Sequence, residues 1–207
     1  MLILRQRLAA VMKPDVNAVD GKYFVRSLYF DTPSDRALRE KIDGVSRREK
    51  FRIRCYNGDT SVIHLEKKSK VGGLGNKQSA PLTAEETKRI VDGDLDWMLG
   101  SSEALVRELY SKMQTQRLMP KTIVDYTREA FVYAPGNVRV TIDYDIRTAL
   151  GCTGFLSADC ATIPAGDSVI LEVKWDEFLP DTIRSIIQLD GRHSAAFSKY
   201  AQCRIYG

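Results

Sequence analysis

The segment Arg48-Glu49-Lys50-Phe51-Arg52-Ile53-Arg54 puts a basic side chain at every even position and apolar ones at 51 and 53. Period two belongs to a β-strand, whose successive side chains leave on opposite faces. His64-Leu65-Glu66-Lys67-Lys68-Ser69-Lys70 alternates in the same way, with Ile63 and Leu65 on one face and His64, Glu66, Lys68 and Lys70 on the other. Asn57-Gly58-Asp59 between them is a hairpin signal. Two neighbouring strands thus bring about seven positive groups to one sheet face. Like charges opposed across strands destabilise a sheet, so this face calls for a multivalent anion.

The rest of the chain predicts an α+β fold. Ile3 to Met12 reads as a short amphipathic helix stopped at Lys13-Pro14. Lys22 to Phe30 alternates Tyr23, Val25, Ser27 and Tyr29 against Phe24, Arg26, Leu28 and Phe30, the pattern of a strand. Thr32-Pro33-Ser34-Asp35 starts a helix through Ile42, closed by Gly44. Three glycines between Val71 and Asn76 predict a loop. Thr83-Ala84-Glu85-Glu86 is a capping box for a helix to Val91, and Ser102 to Gln116 repeats Leu105, Leu109 and Met113 on one helical face. Thr122 to Tyr133 and Val138 to Ile146 form a hairpin about Ala134-Pro135-Gly136-Asn137. Ser168 to Trp175 is a further strand, with helices over Asp181 to Leu189 and Ser194 to Cys203. No repeat or linker divides the chain, so residues 1–207 are expected to form one domain.

Composition narrows the function. Net charge is only +4, from 31 basic and 27 acidic residues, so placement of charge matters more than its total. A general nucleic-acid binder carries a wider basic excess, and Phe51 faces away from the basic side chains, where it cannot stack on bases. No apolar run approaches a membrane span or the core of a signal peptide. Four cysteines without a CxxC pair and two histidines do not make a zinc site. The cysteines read as free buried thiols in a reducing cytoplasm.

Val138, Val140 and Ile142 oppose Arg139, Thr141 and Asp143, and Val169, Leu171 and Val173 oppose Ile170, Glu172 and Lys174. A sheet with one apolar and one charged face is ordinarily half-solvated. Here, however, four amphipathic helices are available to cover the apolar face. The charged face mixes Arg and Lys with a few spaced carboxylates. An antiparallel sheet curled with its helices outside would turn that face into the lining of a barrel or tunnel. Opposite charges about 4 Å apart attract by roughly 4 kcal/mol at an effective dielectric near 20, so several such contacts suit triphosphate or a longer phosphate chain. Arg52, Arg54, Arg128 and Arg139 offer planar forks matched to phosphate oxygens; Lys68, Lys70, Lys77 and Lys199 supply compact charges. Glu66 and Glu172 are candidate ligands for Mg²⁺ or Mn²⁺ bridging to phosphate, and Glu66 reads equally as an ion-pair partner of Lys68 or Arg54. Asp143 reads as a second carboxylate near the metal or as an ion-pair partner. Asp31 reads as a helix cap or a group orienting a lining arginine. His64 is a hydrogen-bonded neighbour, and Trp97 and Trp175 are packing groups.

Tyr29-Phe30-Asp31-Thr32, Arg47-Arg48-Glu49-Lys50-Phe51-Arg52-Ile53-Arg54, Leu65-Glu66-Lys67-Lys68-Ser69-Lys70, Tyr126-Thr127-Arg128-Glu129-Ala130-Phe131, Leu171-Glu172-Val173-Lys174 and Phe197-Ser198-Lys199-Tyr200 follow one another in an order that resembles the VTC domain. That is the catalytic domain of the vacuolar transporter chaperone polyphosphate polymerase, which has bacterial relatives and belongs to the triphosphate tunnel metalloenzymes (the CYTH-like superfamily). The resemblance covers residues 22 to 204. It implies an antiparallel barrel enclosing a basic tunnel, in which the γ-phosphate of ATP passes to a growing polyphosphate chain with Mn²⁺ or Mg²⁺. On this resemblance Arg52, Arg54, Lys68, Arg128 and Arg139 bind phosphates, Lys70 and Lys77 flank the tunnel, Glu172 holds the metal, and Lys199 contacts the chain from the terminal helix.

The sequence departs from the family in one respect. Members open with a strand bearing Lys or Glu before the first helix, whereas Met1 enters directly at that helix, so the barrel is expected to lack its first strand. The open edge that remains would invite pairing with another chain, including a second copy. No transmembrane segment is present, so any coupling to transport would need a separate membrane partner. Two further readings use the same face: a triphosphate hydrolase with water as acceptor, although the Glu-x-Glu-x-Lys opening strand of that branch is not seen, and a non-catalytic polyphosphate- or nucleotide-binding module.

Overall fold

The structure, a computed structural model, describes every residue except Leu150, Ala158, Asp190, Arg192 and Gly207. Among the described residues nine antiparallel strands share one sheet. In chain order the elements are α1 (Leu2–Val11), β1 (Lys13–Pro14), β2 (Lys22–Asp31), α2 (Arg36–Ile42), β3 (Arg48–Tyr56), β4 (Asp59–Val71), β5 (Leu74–Leu82), α3 (Ala84–Asp92) and α4 (Ala104–Gln116). They continue as β6 (Met119–Tyr133), β7 (Val138–Thr148), β8 (Ile163–Pro164), β9 (Ile170–Lys174), α5 (Asp181–Ile187) and α6 (Lys199–Cys203). The sheet runs β5-β4-β3-β2-β6-β7-β8, with β1 on β6 and β9 on β7. It curls about its charged face without closing: the β5 edge is not hydrogen-bonded to β8 or β9 among the described residues.

Register fixes which charges meet. Arg52 lies opposite Glu66 and Tyr29, Arg54 opposite His64 and Ser27, and Lys50 opposite Lys68. Lys68 in turn faces Lys77 on β5, so three lysines form one row across three strands. On the other half of the sheet Arg128 pairs with Asp143 and Tyr23, while Thr141 pairs with Glu172.

The alternate side chains supply the core. Leu28, Phe51, Ile53, Ile63 and Leu65 are buried against Ile90 of α3 and Leu105 and Leu109 of α4. The capping box holds, with Thr83 accepting from the Glu86 amide and the Glu86 carboxylate accepting from the Thr83 amide. Val140, Ile142 and Phe131 pack against Leu4 and Leu8 of α1 and Ile183 of α5. A third cluster, Tyr23, Tyr29, Tyr126, Tyr200 and Cys203 among others, lies on the charged side, where α6 rests on the sheet.

Three expectations need correction. The glycines expected to make a loop from Val71 to Asn76 make only a tight turn: Gly72 and Gly73 have φ of +57° and +90°, which glycine adopts without steric cost, and the chain returns at once as β5. The terminal helix begins at Lys199, not Ser194, because the Ser198 hydroxyl caps it by accepting from the Ala201 amide. Cys55 and Cys203 are buried thiols, but Cys152 and Cys160 are disulfide-bonded, with Cα atoms 6.1 Å apart. The two lie eight positions apart, a spacing that gave no sign of their pairing.

Leu65 is fully buried at the centre of the larger core. Leu65→Ala is expected to lower unfolding free energy by about 2–5 kcal/mol in guanidinium titration, through lost transfer energy and the cavity it leaves.

Candidate functional site

The concave charged face encloses a cavity of about 460 Å³ lined by residues from β2, β3, β4, β5, β6, β7 and β9 and by the stretch before α6. Arg52, Arg54, Lys68, Lys77, Arg128, Arg139, Glu172 and Lys199, singled out from sequence, all line it. Lys70 lies in an adjoining depression of about 410 Å³, together with Lys41 and Arg48. The two volumes share Lys50, Lys68, Lys77 and Phe197, so Lys70 belongs to a basic mouth. At the other end the cavity shares Tyr23, Tyr56 and Arg139 with a third volume of about 440 Å³. The cavity therefore opens at two ends, like a tunnel. His64 is not among its lining residues.

A carboxylate holds each group of cations. Glu66, buried beneath the lining, accepts from Arg52 Nε at 2.7 Å and from Lys77 Nζ at 2.6 Å, with Arg54 Nη1 at 3.9 Å. Arg52 also donates to the Tyr29 hydroxyl at 3.0 Å, and Arg54 to Ser27 Oγ at 3.0 Å and Tyr126 Oη at 3.1 Å. Asp143, wholly buried, takes both prongs of Arg128 at 2.6 and 2.7 Å and Lys199 at 2.6 Å. Arg139 donates to Asp15 at 2.6 Å and to the Tyr23 hydroxyl at 2.8 Å. Glu172 is 3.3 Å from Lys174.

Titration follows from this packing. Burial pushes the Glu66 carboxyl upward, but Arg52 and Arg54 outweigh it and hold the group at about 2. Burial likewise raises Tyr29, yet Arg52, Lys50 and Arg54 bring its phenol down to about 7. Lys68 is lowered to about 8 by burial first and then by Arg52 and Lys174. Lys50 is lowered by burial and by Arg52. Lys50 and Lys68 have no carboxylate partner among the described residues, so nine lining cations face only four carboxylates that contact them, a surplus of five.

Sequence reasoning placed Lys50 on the basic face without singling it out, and it did not single out Tyr29, Tyr126, Tyr23 or Lys174. The signal was present: period two sends Tyr23 and Tyr29 to one face of β2, and Tyr126 shares a face with Arg128. Glu66 has its two oxygens on Arg52 and Lys77. Asp31 accepts from the amides of Ala37 and Leu38 at the start of α2 and from the Tyr200 hydroxyl at 2.6 Å.

No three His, Cys, Asp or Glu side chains converge as a ready metal cage among the described residues. Glu172, facing the cavity, is the carboxylate that fits a divalent ion brought in by phosphate oxygens, a coordination common for Mg²⁺. A larger cavity of about 570 Å³ lies beside β3, α2 and α4 and shares Lys50 with the tunnel; its other two lysines are engaged, Lys67 by Glu49 and Glu108 and Lys112 by Glu49, and the carboxylates of Asp31, Glu40 and Glu49 share its wall.

Because the folded Glu66 value lies below the ordinary 4.5, its ion pairs stabilise the fold above that pH, and the contribution disappears as pH falls towards 2. In urea unfolding between about pH 5 and 2.5, the wild type is expected to lose stability more steeply than Glu66→Gln. Parallel pH profiles would show that the Glu66 charge does not stabilise the fold.

The profile of the VTC domain matches residues 1–206. None of the curated proteins matches the chain. Among solved structures, the Hippeastrum protein HpAC1, an adenylyl cyclase candidate with a dominant triphosphatase activity, aligns with TM-score 0.51 at 12% identity, over 90% of this chain and 77% of that one. A candidate adenylate cyclase from Bacillus halodurans aligns with TM-score 0.46 at 11% identity, over 72% and 68%. PH1819 from Pyrococcus horikoshii aligns with TM-score 0.41 at 11% identity, over 90% and 79%. Identities this low speak to fold alone, and the HpAC1 alignment carries that likeness. With its profile matched from the first residue to the last but one, the chain belongs to the VTC-domain family.

Proposed function

We propose that this chain is a metal-dependent polyphosphate polymerase, passing the γ-phosphoryl group of ATP to the end of a polyphosphate chain inside the basic tunnel. One observation carries the reading: the lining has more cations than its own carboxylates neutralise, and Lys50 and Lys68 have no acidic partner among the described residues. A bound chain of phosphates supplies the missing negative charge along the length of the cavity. Nucleotide and polyphosphate are therefore the expected partners.

In the reaction a terminal phosphate oxygen of the acceptor forms a bond to Pγ, the bond from Pγ to the β–γ bridging oxygen breaks, and ADP leaves with that electron pair. No protein nucleophile is required, since phosphoryl transfer depends on alignment and charge stabilisation. Arg52, Arg54 and Arg128 present preoriented forks to the non-bridging oxygens, each fixed from behind by Glu66 or Asp143. Lys68, Lys50 and Lys199 add point charges, and Lys77 and Lys70 carry the positive lining towards the basic mouth. Tyr29 and Tyr126 hold Arg52 and Arg54 in place through their hydroxyl oxygens. A Mn²⁺ or Mg²⁺ ion held by Glu172 would neutralise charge developing on the phosphates. Glu66 acts as the counter-ion that preorients Arg52.

Water in place of the acceptor chain would give triphosphate hydrolysis, the dominant activity named for HpAC1. Product analysis separates the two: chain growth from ATP with Mn²⁺ supports polymerisation, and orthophosphate release without growth supports hydrolysis. Tripolyphosphate binding measured by calorimetry is expected to weaken by about 1.5–3 kcal/mol for each of Arg52→Ala and Arg54→Ala. Indifference to both substitutions would remove the tunnel reading. Glu172→Gln is expected to abolish stimulation by Mn²⁺ while leaving metal-free tripolyphosphate binding intact.

A further inference from the structure

The two ends of the tunnel differ in charge. One opens among Lys41, Arg48, Lys70 and Lys77. The other, about 440 Å³, is lined by Asp15, Asn17, Tyr23, Tyr56, Asn57, Asp59, Val62 and Arg139. Its one cation, Arg139, is neutralised by Asp15, leaving one further carboxylate, Asp59, two side-chain amides, two aromatic rings and a half-exposed valine. Polyphosphate has little to gain there, since the one cation is already neutralised and the Asp59 carboxylate repels it. A planar, uncharged group with hydrogen-bonding edges suits it well.

We infer that this mouth binds the nucleoside of a nucleoside triphosphate, so that the base lies at the Tyr56 end and the phosphates run inward towards the lysine row. The inference rests on the polymerase reading and gives the tunnel a direction. Tyr56 stands at the rim with its ring edge-to-face on Tyr23, centroids 5.6 Å apart and planes at 75°. Tyr23 is itself fixed by the Arg139 bond to its hydroxyl. The Tyr56 ring is thus held by a partly buried network, and a rigid aromatic side chain is the group on which a base of any identity can stack. Asn57 uses its carbonyl oxygen to accept from the Phe24 amide, which leaves its side-chain NH₂ for a base edge. Arg139 spans the junction of this mouth and the main cavity, and its Nε is buried without a partner among the described residues. With the base beside Tyr56, the phosphates pass Arg139 into the tunnel, and the acceptor chain occupies the side that ends at Lys70.

A rival platform makes the inference testable. Phe197 is exposed at the basic mouth and could stack a base there, reversing the direction. Calorimetric affinities for ATP and for tripolyphosphate should be compared in the wild type, Tyr56→Ala and Phe197→Ala. Tyr56→Ala is expected to weaken ATP about tenfold, the loss of one base–aromatic stack, and to leave tripolyphosphate unchanged. Unchanged tripolyphosphate binding also certifies the fold of the variant. As a second readout, 8-azido-ATP attached under light is expected to label the peptide carrying Tyr56 to Val62. If both ligands weaken equally in Tyr56→Ala, or if only Phe197→Ala discriminates and the label falls near Phe197, the nucleoside site is not here while the tunnel stands. If the wild type binds ATP but no tripolyphosphate, the tunnel reading fails and this inference with it.

Discussion

Concentrating nine cations around one cavity is the central difficulty of this structure. Two like charges 4 Å apart repel by roughly 4 kcal/mol at an effective dielectric near 20. The row Lys77–Lys68–Lys50 would set such pairs directly across three strands. The remedy lies one layer below the lining, where Glu66 and Asp143 are buried. Each binds cations from at least two elements, Glu66 joining β3 to β5 and Asp143 joining β6 to α6. A buried carboxylate of this kind acts as a charged rivet. Removing one partner leaves an uncompensated charge, which is much more costly than the net worth of the pair. Curvature, arginine orientation and the seating of the last helix all depend on these two groups.

The compensation is incomplete by design of the lining. Lys50 and Lys68 remain without acidic partners among the described residues, and both are driven towards the neutral form by burial and by nearby cations. A polyanion entering the cavity reverses that shift and is itself bound by it, so the strain of the empty site becomes affinity for phosphate. Carboxylates close to every lysine would give a more stable sheet and a poorer phosphate site.

Much of this was legible in the sequence because the β-strand has a rigid period. Once Phe51 and Ile53 are assigned to the core, Arg52 and Arg54 must face the other way, and the same logic fixes Lys68 against Leu65. What the period cannot reveal is register and depth. Whether Glu66 faces an arginine or a lysine depends on the length of the hairpin turn, and whether it reaches the cavity depends on how far the sheet curls. Lys50 looked no different from Arg48 along β3, yet only Lys50 lines the main cavity. β5 escaped notice because its residues are mostly polar and exposed and its start is hidden by three glycines. The pairing of Cys152 with Cys160, eight positions apart, follows no helical or strand period and so left no periodic signal.

The terminal helix shows how distant parts of the chain are joined through one polar contact. Asp31, at the end of β2, accepts from the Ala37 and Leu38 amides of α2, one on each oxygen, and also takes the Tyr200 hydroxyl. Tyr200 lies on α6 and stacks on Tyr29, ring centroids 5.0 Å apart, while Tyr29 accepts from Arg52. On the preceding residue, Lys199 reaches Asp143 beneath the lining. Arg204, just beyond α6, completes the clasp by binding Asp35 at the start of α2. A five-residue helix is too short to hold itself together in water, so its position is dictated by these contacts. The order of α6, and with it the placement of Lys199 over the cavity, is therefore coupled to the same arginine and carboxylate pairs that hold the phosphate-facing side chains.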